Sequence, residues 1–222
     1  MDIQQNLKEV LADIPQQVRL VAVSKFHPKE AIEAAYTAGQ RIFGESKVQE
    51  LEEKYASLPK DIEWHFIGHL QTNKVKYIAP YIAMIHAVDT YKLLAEIDRQ
   101  AAKADRTISC LLEIHIAQEE SKYGFSLQEC RDMLDEGSWK GLKNIRICGL
   151  MGMATYTDDT DQIRNEFKTL HDFFLELKQK HFQDTDSFKE ISMGMSHDYQ
   201  LAIEEGSTLV RIGSKIFGER NY

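Results

Sequence analysis

Short apolar runs alternate with longer amphipathic stretches along the chain. The runs are VRLVAVSK (18–25), RIFGES (41–46), EWHFIG (63–68), MIHAVD (84–89), ISCLLEIHIA (108–117), IRICGLMGMA (145–154), FKEISMGM (188–195) and TLVRIGSKIFG (208–218). They have the look of buried strands. Between them KEAIEAAYTAG, VQELEEKYASL, TYKLLAEIDRQAAKA and QIRNEFKTLHDFFLELKQKH keep helical spacing. Strands alternating with helices predict parallel βαβ units, and most steps between runs are near the shortest such a unit allows. Eight strands predict an α/β fold, a closed (β/α)8 TIM barrel that is compact for its class. The alternative is an open doubly wound sheet. That fold more often has five or six strands and a glycine-rich first turn, whereas AVSKFHP (22–28) contains no glycine. Ahead of the first strand, Ile3, Leu7, Val10, Leu11 and Ile14 predict an amphipathic lead-in helix.

No linker or composition break divides the 222 residues, so one domain over 1–222 is expected. A chain that is 43% hydrophobic and 28% charged is ordinary for a globular protein. The net charge of −8 argues against a nucleic-acid partner. No run has the length of a membrane span, and the first residues lack the basic start and apolar core of a secretory leader. Cys110, Cys130 and Cys148 are scattered, which points to a reducing, cytoplasmic location rather than to a disulfide framework. His65 and His69 are four apart but straddle a strand and its loop, so no metal site is expected from them.

In a barrel of this kind, functional side chains sit at the C-terminal ends of the strands. Lys25 occupies that place on the first strand. In the last run Arg211 stands between Val210 and Ile212, where either strand face is dry and an arginine needs a partner. Gly213 and Ser214 follow. Ser196, after the seventh strand, reads as the N-cap of a helix over HDYQLAIEEG. Small, turn-forming residues after strands seven and eight predict a phosphate cup. A mouth lysine with a phosphate cup suits a phosphorylated carbonyl compound, since an unprotonated lysine amine condenses with carbonyls. Pyridoxal 5′-phosphate (PLP) and a sugar phosphate both meet that description.

AVSKFHP, FGESKVQE (43–50), WHFIGHLQTNK (64–74), SMGMSHDY (192–199) and GSTLVRIGSKIFGER (206–220) together resemble the pyridoxal phosphate homeostasis proteins, a family similar to the barrel domain of alanine racemase. The resemblance runs from about residue 3 to the end. It implies a (β/α)8 barrel of alanine-racemase type. It further implies that Lys25 holds PLP as an internal aldimine, that Arg211 pairs with the pyridine nitrogen, and that Ser196, Gly213 and Ser214 hold the phosphate. Many relatives carry an asparagine and an aromatic residue where this chain has Ser46 and Lys47. Ser46 is carried over as a cofactor-ring contact. Lys47 is not carried over and is read as a solvated amine or a station for PLP in transit.

An arginine beside the ring nitrogen cannot accept its proton and stays charged, which disfavours carbanion chemistry. Racemases of this fold also draw a tyrosine from an added β-domain. That domain is not expected here, since the sequence stops at Tyr222, itself read as a packing residue. The expectation is therefore a carrier that buffers or delivers PLP, acting as a monomer with transient contacts to PLP-dependent apo-enzymes. The alternatives are a PLP-dependent amino-acid racemase or lyase and, more remotely, a Schiff-base aldolase.

Overall fold

A computed structural model describes residues 2–120 and 123–219. Each of the eight apolar runs contains a strand: β1 (Arg19–Val23), β2 (Ile42–Glu45), β3 (Glu63–Phe66), β4 (Met84–Val88), β5 (Ile108–Ile114), β6 (Ile145–Gly152), β7 (Glu190–Met195) and β8 (Leu209–Ile212). Each pairs in parallel with the next and β8 closes on β1, so the sheet has no open edge. A helix follows every strand: α2 (Lys29–Thr37), α3 (Val48–Ser57), α4 (Val75–Ile78), α5 (Tyr91–Lys103), α6 (Leu127–Glu136), α7 (Thr160–His181), α8 (Tyr199–Glu204) and α9 (Ser214–Phe217), with α1 (Ile3–Asp13) in front. This is the closed barrel that the alternation predicts.

Local chemistry sets the helix starts. Thr90 caps α5, Asp159 caps α7, and Ser126 and Glu129 form a reciprocal capping box on α6. The lead-in helix forms as expected, burying Leu7 and Val10, and Asn6 Nδ2 donates to Ile216 O at 3.0 Å. Leu11 is exposed, so the apolar face is narrower than its spacing predicts. Within the last run the strand ends at Ile212, ahead of Gly213 and Ser214 as their turn-forming character predicts, and Ser214–Phe217 continue as helix. Tyr222 lies outside the described residues.

Two apolar layers follow from strand alternation. Val21, Met84, Leu111, Met151 and Leu209 form an inner cluster within the barrel. Their sequence neighbours Ala22, Leu112, Leu150 and Val210 belong to the larger cluster under the helices. Arg211 lies two residues beyond Leu209 and pairs across the seam with Val21. It therefore faces the barrel interior, which settles the two-way choice its position posed. No helix among the described residues is long and apolar enough to cross a membrane.

Candidate functional site

The site begins where β1 stops. Ser24 N extends the ladder to Gly44 O at 3.1 Å, and the chain then turns, closed by His27 N donating to Ser24 O at 3.1 Å. Lys25 stands in this turn, between a fully buried Ser24 and Phe26, whose φ of 65° is left-handed. Lys25 borders a cavity of about 350 Å³ at the C-terminal mouth of the barrel. Ser196, Arg211, Gly213 and Ser214 border the same cavity. Five residues from three distant parts of the sequence thus share one opening.

Arg211 is 4% exposed. Its Nη1 donates to Ser192 Oγ at 2.6 Å and its Nη2 to Gly152 O at 3.1 Å. Each terminal nitrogen keeps a second hydrogen. Burial pulls the guanidinium down to about 10, against the pull of Asp198 and Glu113, so it stays charged at neutral pH. Behind it, Ser192 Oγ lies 2.8 Å from His86 Nδ1, and His86 Nε2 lies 2.9 Å from His65 Nδ1. A guanidinium only donates, so Ser192 accepts from Arg211 and its own proton is left for His86. His86 then donates from Nε2 to His65. Burial holds both imidazoles neutral, lowering His65 to about 3 and His86 well below its ordinary value. His65 is thus part of the barrel's polar interior. His69 instead faces Asp89 at 3.2 Å and stacks on Tyr123.

Beside β1, at the end of the neighbouring β8, Gly213 N donates to Ser196 Oγ at 3.2 Å. A Cβ at Gly213 would lie 3.0 Å from Val23 O, a tight contact that glycine avoids where β8 leaves β1. Ser196 is not the N-cap that its spacing suggests. The helix starts three residues later, at Tyr199, with Asp198 as N-cap, and Asp198 Oδ1 accepts from Met195 N at 2.6 Å. Residues 196–198 form a turn instead, and that turn frees the Ser196 hydroxyl to meet Gly213.

Ser46 is not brought to this cavity. It lines a neighbouring groove of about 590 Å³ with Lys47, His69 and Lys74. Gly68 packs tightly on Ser46 there, and a Cβ at Gly68 would lie 2.6 Å from Ser46 O. Lys47 places its Nζ 4.7 Å from the centre of the Phe26 ring, a cation–π contact one residue from Lys25.

Further residues complete the barrel mouth and interior. Met153, Tyr156 and His197 border the cavity, with the Tyr156 ring edge-on to His197 at 5.0 Å. Glu45 is fully buried at the end of β2, where burial raises it to about 7 against the pull of Lys54. Glu45, Glu113, His65 and His86 are polar residues in apolar strands, and each stands out on the same grounds as Arg211.

Known proteins share this architecture. The model of the alanine racemase N-terminal domain matches residues 1–221. The pyridoxal phosphate homeostasis protein of Aquifex aeolicus is 38% identical, covering 92% of this chain and 88% of its own length. The human protein of the same name is 40% identical over 99% of this chain and 83% of its own. PipY of Synechococcus elongatus, solved without PLP, is 36% identical with a TM-score of 0.91, over 97% of this chain and 100% of that one. Its structure with PLP bound superposes with a TM-score of 0.88. With a matching barrel and relatives alike over nearly their whole length, the chain belongs to the pyridoxal phosphate homeostasis proteins, within the alanine racemase N-terminal domain family.

Proposed function

We propose that this chain acts as one PLP-binding domain, in the cytoplasm and as a monomer, and buffers or delivers the cofactor without robust turnover of its own. One observation carries the reading: Lys25, Arg211, Ser196, Gly213 and Ser214 border a single cavity at the barrel mouth. The donor set fits the cofactor. PLP brings an aldehyde, a pyridine nitrogen and a phosphate. The cavity offers a lysine amine, a buried guanidinium with hydrogens to spare, and two hydroxyls beside a backbone N–H. A PLP-bound relative of the same barrel supports the assignment. The three cysteines are free and buried, in keeping with a reducing compartment.

Each group has a distinct task. Lys25 supplies the covalent attachment point. Ser196 and Ser214 give hydroxyls to an anion, and Gly213 keeps the backbone close. Arg211 orients the ring, and because it holds its proton it leaves the pyridine nitrogen without one. Transient contact with PLP-dependent apo-enzymes would then complete delivery.

The test is direct. Purified protein with added PLP turns yellow, borohydride fixes the cofactor to Lys25 as read by peptide mass spectrometry, and Lys25→Ala abolishes both signals. Wild-type protein that stays colourless with excess PLP overturns the proposal. A racemase or lyase is the second reading, favoured by Tyr156 and His197 bordering the cavity as titratable groups. Exchange of an amino acid's α-proton in deuterated water at about 1 per second or faster would decide for that enzyme.

A further inference from the structure

Lys25 is held by a buried charge cluster that does not border the cavity. Lys54, on α3, is 6% exposed, and its Nζ donates to three acceptors: Ser24 O at 2.8 Å, Glu45 Oε1 at 2.8 Å and Glu50 Oε1 at 2.7 Å. Ser24 Oγ donates to the same Glu45 oxygen at 2.6 Å. Glu50 Oε1 also accepts from Phe26 N at 2.6 Å. The residues on either side of Lys25 are therefore gripped by one cluster, Ser24 through its carbonyl and hydroxyl and Phe26 through its N–H. We propose that Glu45, Lys54 and Glu50 are positioning residues that fix the turn carrying Lys25 and so set the reach and reactivity of its amine.

Three observations support a positioning role over simple stabilisation. Phe26 adopts a left-handed backbone, which a bulky residue keeps only where its surroundings impose it. The Glu50–Phe26 N bond is one of the contacts that hold it in this conformation. Burying the Glu45 carboxylate and the Lys54 ammonium, with Glu50 half-buried beside them, is no stability advantage over apolar side chains of like volume. The cluster is also incompletely satisfied, since Glu45 Oε2 is buried with no hydrogen-bond partner among the described residues. The cluster reaches Lys25 through both neighbouring peptide units, so a small change in it moves the amine relative to Ser196, Gly213 and Ser214 on the same cavity.

This inference rests on the proposed covalent role of Lys25, and its test keeps the two apart. Glu50→Ala removes the acceptor for Phe26 N, Glu50→Gln keeps an oxygen there, and Lys54→Met removes the charge while filling the volume. Two readouts are taken on folded protein, with the melting temperature recorded for each variant. The first is the rate of PLP loss to a PLP-consuming apo-enzyme in excess. The second is competitive acetylation of Lys25 by acetic anhydride without PLP, scored by mass spectrometry against the other lysines. Glu50→Ala and Lys54→Met are expected to lose PLP roughly tenfold faster and to shift Lys25 acetylation several-fold, as misplacement of a reacting group does. Glu50→Gln is expected to stay within about twofold of wild type, because hydrogen-bond geometry and not charge holds Phe26. Wild-type retention and acetylation in Glu50→Ala overturn the clamp, and Glu50→Ala is decisive on its own if Lys54→Met does not fold. A wild-type protein that never takes up PLP overturns the functional proposal instead, and the acetylation arm then still decides the clamp.

Discussion

Glu113→Gln tests the electrostatics of the barrel interior. Glu113 is 3% exposed on β5, and burial raises its carboxyl to about 7, helped by Asp89 and opposed by Arg211. A folded-state value raised above the unfolded one means that the carboxyl's contribution is complete below the ordinary range near 4.5 and is lost as pH rises through 7. Each unit is worth about 1.4 kcal/mol, so raising the pH from 5 to 8 costs wild type about 3 kcal/mol at this residue. Glutamine keeps the shape and carries no charge at either pH. Glu113→Gln should therefore gain about 3 kcal/mol on wild type between pH 5 and 8, or roughly 6–12 °C in melting temperature at this chain length. Urea unfolding of ligand-free protein at several pH values measures the gap, provided that both proteins share one slope. His65→Gln supplies a control of opposite sign. The His65 imidazole sits at about 3 when folded, so its contribution is complete above 6.5 and is lost as pH falls. The deficit of His65→Gln against wild type should shrink by about 2 kcal/mol between pH 6.5 and 5. A Glu113→Gln gap that does not change with pH refutes the reasoning, because the charge would then not be desolvated.

Two more expectations follow from packing. Gly194 has a φ of 96°, and a Cβ there would lie 2.6 Å from Ala202 Cβ and 2.9 Å from Tyr199 Cα. Gly194→Ala should push α8 off β7, lower stability by about 2–3 kcal/mol and loosen PLP retention at the Ser196 turn; an unchanged melting curve counts against it. Burial raises all three thiols, with Cys130 pushed up to about 12. A thiol-reactive dye should label none of them in native protein and all three in urea, and fast native labelling would contradict their burial.

Eight strands are legible in the sequence because a parallel barrel buries both faces of each strand and so leaves an apolar run for each. Helix α6 is harder to see, since Leu127, Cys130 and Leu134 are nearly its only apolar side chains. The start of α8 is misplaced because Ser196, a good capping residue, accepts from Gly213 at the end of the neighbouring strand instead. Lys25 and Arg211 stand out as charges set in apolar runs. The same signal marks His65, His86 and Glu45, but their partners lie on other elements, and only the fold shows which groups meet. Ser46 shows the limit of position along a strand: it directly follows β2, yet it turns into the adjoining groove.

The seam between β1 and β8, paired from Arg19 with Leu209 to Ala22 with Ile212, has a consequence for biosynthesis. The amine leaves the ribosome well ahead of the groups on the neighbouring eighth strand. A nascent polypeptide whose eighth strand is still unmade lacks Arg211, Gly213 and Ser214 at the rim of the opening. Under the proposed function, full capture would therefore have to wait until the cylinder has been synthesised through its last stave and has zipped shut.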